Sequence, residues 1–455
     1  MSGEYLSIAE KQSHVESIVE LYPETAGFQS YEYLRSNVDE QKADFIQNNT
    51  SLNLDYSELT IDHVKAIKKP MLEALRTLMA GERDERTESL FSTIEYRYSE
   101  LFLIDLARQI NSGNEVSDEV IAWYRNTNEA LYGKPDVNIF NYVAHQNLLM
   151  PSLSDSQDSE LAGTIKNELR GLLGVIPESD YQPYVPDRET LDRIGVFVHQ
   201  KFDSLIEHID PMKTYDVPAM LMAFQHALDK LDGTDFGWRA EVVPNSAAVS
   251  TSAHQKKIEV GVNRVDSDGA TLRKLVIHEI GVHALRSINA LRAGWLSAAY
   301  GLNDYLSFEE GLAVALEAAY SGFFKPSGRQ YYLIAGLAYG LDGQPPRDLR
   351  SVYEIVWREK VLAKLNQGLS DVVIAKAKSV AFTECMRMFR GSTAIPGLIY
   401  LKDLAYFKGQ ELAWKHLSGI YSQGEFDQLF SGKSDCTNKS HQLISAKIAK
   451  TLMSS

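Results

Sequence analysis

Apolar residues recur at three- and four-residue intervals between charged ones along HVKAIKKPMLEALRTLMAG (His63 to Gly81) and ERTESLFSTIEYRYSELFLIDLARQI (Glu85 to Ile110). That spacing predicts amphipathic helices, and with them a helical N-terminal subdomain. The pattern then breaks twice. PSLSDSQDSE (Pro151 to Glu160) is rich in Ser and Asp without periodicity, and IPESDYQPYVPDRE carries Pro177, Pro183 and Pro186, so neither segment continues a helix. A boundary near residue 185 divides the chain into a helical subdomain, 1–185, and a second domain, 186–455.

Beyond the boundary the period changes. Trp238 to Val243 and Lys257 to Val262 read as strands, the latter with Ile258, Val260 and Val262 alternating against polar positions. Asp266, Ser267 and Asp268 offer N-caps for a helix through LRKLVIHEIGVHALRSINAL, and SFEEGLAVALEAAYSG, from Ser307, reads as a further helix after a Gly/Asn/Asp break. The expected fold class is α+β: mostly helical, with a small mixed or antiparallel sheet over the Leu272 to Leu291 helix.

Within that helix lies His278-Glu279-Ile280-Gly281-Val282-His283, an HExxxH arrangement. On a regular helix, side chains five apart point about 140° away from one another, whereas those four apart diverge by only about 40°. Two imidazoles at this spacing share an ion only if the helix is distorted, and a π-bulge, which adds a residue to one turn, supplies the distortion. Gly281 is a residue that relaxes helix rigidity there. Tetrahedral Zn²⁺ needs a third protein ligand and keeps its fourth position for water. Glu310, 27 positions after His283, is the choice. Read alone, Ser307-Phe308-Glu309-Glu310 is first an S-x-x-E capping box, in which the glutamate bonds back to the Ser307 amide. Read beside HExxxH, Glu310 becomes a ligand, and Glu279 is left as general base.

HEIGVHALR together with EEGLA resembles the QEGLA-motif family, whose eukaryotic members are microtubule-associated tyrosine carboxypeptidases. LYGKPD (Leu131 to Asp136), the GW…IEV strands and RMFRG…YLKDLAYFKG (Arg387 to Gly409) extend the resemblance over roughly residues 120 to 410. It implies a gluzincin-like zinc metallopeptidase fold, with His278 and His283 as zinc histidines, Glu279 as the catalytic glutamate, and Glu310 as the glutamate that completes the metal site. Glu309 stands where the family usually carries glutamine. The implied activity is zinc-dependent removal of a C-terminal residue from a peptide or protein. Two other readings stand beside it: a regulatory or binding protein that keeps the fold without proteolysis, and a zinc hydrolase of a non-peptide amide.

An exopeptidase of this kind must recognise a free carboxylate, which suits a guanidinium or ammonium group. Arg387, Arg390, Lys402 and Tyr406 fall within twenty residues of one another, and the resemblance turns this segment toward the zinc. Arg390 is the first candidate and Lys402 the second, against the plainer reading that these residues form ordinary ion pairs. Arg286 is a weaker candidate for orienting the site. The Lys257 to Val262 strand is expected to offer an exposed edge to extended peptide, and Trp295, Tyr300 and Tyr305 either line a pocket or pack in the core.

Composition narrows the partners. The 455 residues are 44% hydrophobic and 24% charged, as in an ordinary globular protein, and carry a net charge of −15. Residues 1–115 hold 21 acidic against 11 basic side chains, so most of the excess is N-terminal; a solvated helical surface is the plain reading. Such a surface repels nucleic acid, anionic membrane and the acidic tails of tubulin. The substrate is therefore expected to be a different C-terminus. Cys385 and Cys436 are too few for a disulfide framework, the N-terminus lacks a secretory pattern, and the longest apolar runs reach about half of the roughly 20 residues a spanning helix needs. A cytoplasmic location is the expectation.

Overall fold

The Asp268 carboxylate accepts a hydrogen bond from the Thr271 amide at 2.7 Å and starts a helix whose first part, Gly269–Val276, is α-helical. The chain then passes without a break into a π-helical segment, Ile277–Ala284, and back into α-helix over Leu285–Arg292. HExxxH lies wholly inside the π segment, where the wider turn offsets the five-residue spacing. Gly281 has ordinary helical geometry there. Its requirement is space: a Cβ would stand 3.0 Å from the Phe202 ring, which comes from the Arg188–Ile206 helix.

The structure, a computed structural model, describes residues 6–34, 38–56, 59–113, 115–149, 160–244, 248–365 and 368–454. Helix accounts for 66% of it, with small sheets, so the class is α+β. The two periodic N-terminal segments form the helices Ile61–Met79 and Glu85–Ile110, the latter capped by Asp84 through the Thr87 amide. The stretch 173–186 is irregular until Asp187 caps the Arg188–Ile206 helix. Of the serine-rich segment, 151–159 lies outside the described residues, and Glu160 opens the Glu160–Leu172 helix. No helix among the described residues is long and apolar enough to cross a membrane.

Two short strands, β1 (Thr214–Tyr215) and β5 (Ser267–Asp268), pair antiparallel ahead of the bulged helix. The main sheet has three strands: β2 (Arg239–Val243), β3 (Val249–Ser252) and β4 (Lys257–Gly261), in the order β2-β4-β3, parallel across β2/β4 and antiparallel across β3/β4. This corrects the expectation that the Lys257 strand is an open edge. β4 is central, and both of its ladders are occupied; β2 and β3 are the edges, and β3 lies against the π segment. Ile258 and Val260 face the core as the alternation requires, but β4 ends at Gly261 and Val262 is exposed.

The Leu306–Ser321 helix packs along the Leu404–Leu417 helix, and two glycines set their separation. A Cβ on Gly311 would fall 1.9 Å from the Gly409 carbonyl oxygen, and one on Gly409 would fall 1.8 Å from the Ser307 oxygen. Only backbone fits at this crossing. Apolar side chains from Val15 through Cys436 form the main core, with a smaller separate cluster around Trp295 and Ile448; across the main core Ser30 bonds Tyr400 (2.5 Å) and the buried Arg97–Glu100 pair reaches the Tyr300 carbonyl. Cys385 and Cys436 are buried free thiols.

Candidate metal centre

The π-helical turn brings the His278 and His283 rings to 5.0 Å between centroids, inclined at 74°. Glu310, one turn into the Leu306–Ser321 helix, completes the group: one ligand atom from each of the three residues lies within 4.8 Å of the others. The capping-box alternative for Glu310 is not realised. The helix starts at Leu306 with Tyr305 in the capping position and no side-chain cap, so Glu310 falls too far along to reach back.

Each imidazole is held from behind by a carboxylate. His278 Nδ1 lies 2.5 Å from Glu317 Oε1, and His283 Nδ1 lies 2.9 Å from Glu309 Oε1. With Nδ1 engaged as the donor, Nε2 of each ring is left as a lone-pair ligand, the tautomer that metal-binding histidines adopt when a second carboxylate fixes them. Glu317 is seven residues beyond Glu310 and so on the same helical face. Burial alone would lower the His278 pKa, but the Glu317 bond and the charges of Glu279, Glu317 and Glu310 outweigh it and push the ring up to about 9, so a metal ion would take its place on Nε2 by displacing a proton.

Glu309 has a separate task. It is 1% exposed, ion-paired to Arg286 and 3.5 Å from Lys433 Nζ, with Arg286 also donating to the Ser434 carbonyl at 2.6 Å. Burial acts to raise its carboxyl, yet Arg286, Lys433 and His283 hold it down at about 2. The fixed anion thus orients His283, and Arg286 acts on the centre only through it.

Glu279 is buried, its charge acts on His278, and the Thr251 hydroxyl of β3 donates to its Oε2 at 2.7 Å and lies 3.2 Å from its carbonyl oxygen. Oε1 makes no hydrogen bond among the described residues. Tyr31, from the helical N-terminal region, bonds the Thr251 carbonyl at 3.3 Å. Burial first, then Glu32, Tyr305, Glu310 and Glu279, push its phenol far up, so it stays protonated. Sequence periodicity gave no hint of Tyr31 or Thr251.

Of the downstream cations, Lys402 is at the centre. Its ammonium lies over the Tyr31 ring, 4.6 Å from the centroid, and makes no hydrogen bond or ion pair among the described residues. Burial would raise the Glu310 carboxyl, but Lys402 and the two imidazoles hold it below the ordinary glutamate range. Arg387 is committed elsewhere: it pairs with Asp403 through Nε at 2.5 Å and Nη2 at 3.2 Å, and donates to the Tyr331 and Tyr406 hydroxyls. Tyr406 is thereby tied to Arg387, near enough to Glu310 for that charge to act on it. Arg390 contributes its backbone carbonyl to Tyr56.

A cavity of about 230 Å³ is lined by Tyr96, Tyr132, Gly133, Asp304, Ser307 and Lys402 among others; Arg387 and Arg390 are not in its wall. A larger one, about 370 Å³, takes Trp295 and Tyr300 with His254, and neither cavity has any of the three clustered residues in its wall. Size therefore does not select the site; chemistry does. Tyr305 is core, between Arg97 and Lys433.

Two imidazole nitrogens and one carboxylate oxygen, with rear carboxylates fixing the rings, fit a Zn²⁺-type ion with an open fourth position. Comparison of the chain with protein-family models, with curated proteins and with solved structures gave no match.

Proposed function

We propose that this protein is a zinc-dependent peptidase of gluzincin-like fold, acting as a carboxypeptidase that removes a C-terminal residue from a peptide or protein. One observation carries the reading: His278, His283 and Glu310 present ligand atoms within 4.8 Å of one another, and a carboxylate occupies Nδ1 of each histidine. The resemblance of HEIGVHALR and EEGLA to the QEGLA-motif peptidases supports it independently.

Zn²⁺ held by these three residues would polarise the scissile carbonyl and lower the pKa of water toward about 7. Glu279, with Oε2 held by Thr251, takes the proton of the attacking water on Oε1 and passes it to the departing amine. The Tyr31 hydroxyl, which bonds the Thr251 carbonyl in this structure, is the donor assigned to developing negative charge. Buried free thiols at Cys385 and Cys436 suit a reducing, cytoplasmic setting.

The test is metal analysis of the purified protein beside His283→Ala, together with mass-detected trimming of C-terminally varied peptides by the wild type and Glu279→Gln, with a chelator control. Metal in the wild type alone, and turnover lost in Glu279→Gln with metal retained, is the expected result. Equal trimming by Glu279→Gln removes the assigned base; a metal-bearing protein that trims nothing favours a non-proteolytic role.

A further inference from the structure

The 230 Å³ cavity joins a buried cation, Lys402, to an exposed carboxylate, Asp304. Lys402 is 7% exposed, and its ammonium has no hydrogen-bond or ion-pair partner among the described residues. A buried ammonium left this way is costly unless something else compensates it. Arg387 already has its carboxylate in Asp403, whereas the Lys402 ammonium, whose charge also acts on Glu310, keeps its hydrogen-bonding capacity for an anion in the cavity. Ser307 shares the wall and lies three residues before Glu310, one helical turn away on the same face. The wall residues Lys402 and Ser307 thus tie the cavity to the helix that carries Glu310.

The outer part of the cavity has the opposite sign. Asp304 stands exposed at its rim in a left-handed conformation (φ 56°) and makes no hydrogen bond or ion pair among the described residues. Partial burial and the charge of Asp435 both raise its carboxyl. The Tyr96 hydroxyl, also in the wall, makes no hydrogen bond among the described residues either. The cavity is smaller than the roughly 300–1,000 Å³ of drug-sized pockets, so it suits a single residue better than a stretch of chain.

Resting on the carboxypeptidase reading above, we infer that this cavity is the subsite for the terminal residue and that it selects a basic one: Lys402 receives the α-carboxylate, and Asp304 receives the cationic side chain of a C-terminal lysine or arginine. A glutamate terminus would bring its side chain against Asp304 and is disfavoured by like-charge repulsion. A tyrosine terminus fills the space without using the acidic rim. The chain's overall charge of −15 draws in basic peptides from a distance.

The experiment uses four dye-labelled peptides that differ only in the last residue, Lys, Arg, Tyr or Glu, assayed with the zinc-loaded full chain. The Lys and Arg peptides are expected to lead by about tenfold in kcat/KM, as suits one charge pair at a partly exposed rim. Asp304→Asn should erase that lead, and Lys402→Met should raise KM for all four. In parallel, binding to Glu279→Gln protein is measured for each peptide as free acid and as C-terminal amide. The amide should bind about tenfold more weakly to a Lys402 ammonium, and equally to Lys402→Met. Trimming without a basic preference, or a preference that survives Asp304→Asn, overturns the pocket and leaves the peptidase standing. Basic-selective, carboxylate-dependent binding with no trimming keeps the pocket and overturns the peptidase. Neither binding nor trimming overturns both.

Discussion

Glu317 accepts a hydrogen bond from His278 Nδ1 at 2.5 Å, two helical turns beyond Glu310 on the same helix. One helix thus carries both a candidate ligand and the carboxylate that aims another. Glu317→Ala should weaken zinc binding by about 10- to 100-fold, the usual penalty for losing such a partner, while Glu310→Ala should lose more. Chelator competition measures both. Equal affinity in Glu317→Ala and wild type would show that His278 needs no support from behind.

Thr251 fixes one oxygen of Glu279 from the edge strand β3. Thr251→Val keeps the shape and removes the donor. If Glu279 is the base, kcat should fall by about one to two orders of magnitude, part of the roughly 10²–10⁴ that general-base catalysis supplies, with zinc content unchanged. A change confined to KM would move Thr251 from positioning the base to binding substrate.

The Arg286–Glu309–Lys433 cluster is fully enclosed, so removing its only carboxylate strands two cations. Glu309→Ala should cost about 3–5 kcal/mol of stability, as broken buried pairs do. Glu309→Gln, which restores an acceptor for His283 without the charge, should lie between the two in denaturant midpoint. A midpoint equal to wild type in Glu309→Ala would mean that Arg286 finds another partner.

Glu359, far along the chain from HExxxH, supplies a pH test of stability. Burial, opposed by Lys360 and reinforced by Glu384, pushes its carboxyl up to about 7. The raised value means that the folded state keeps a proton that the unfolded chain gives up near the ordinary glutamate pKa. Stability from this group is therefore present below that value and lost as pH rises toward 7, a change on the order of 2–3 kcal/mol. Glu359→Gln should flatten the melting temperature between pH 5 and pH 8. A slope identical to wild type would rule out Glu359 as its source.

How much of this was legible in the sequence depends on range. HExxxH implied a distorted helix because two imidazoles cannot meet across a regular five-residue interval, and the π segment is that distortion. Glu317 was readable too: its seven-residue spacing from Glu310 puts it on the same face, but a lone glutamate on a helix reads as solvated surface. β3 escaped because Val249–Ser252 is short and mostly hydroxylic, with no apolar alternation to mark it. Missing it turned β4 into an edge on paper, although β4 is central. Tyr31 reaches the centre from over two hundred residues away in sequence, through folding alone. Gly281 was read for flexibility, but the contact that requires glycine is the Phe202 ring.

The touching backbones of Gly311 and Gly409 leave no side chain that can slide between the two helices. That contact holds the helix bearing Glu310 close against the helix that follows Lys402. On the proposed reading, a substrate gripped at its end by Lys402 would meet the clustered ligands at a set interval. Such a gauge would count off one residue per event, so polymers with the right end would shorten in single steps, and a methyl group at either glycine would spoil the spacing before it touched any reacting atom.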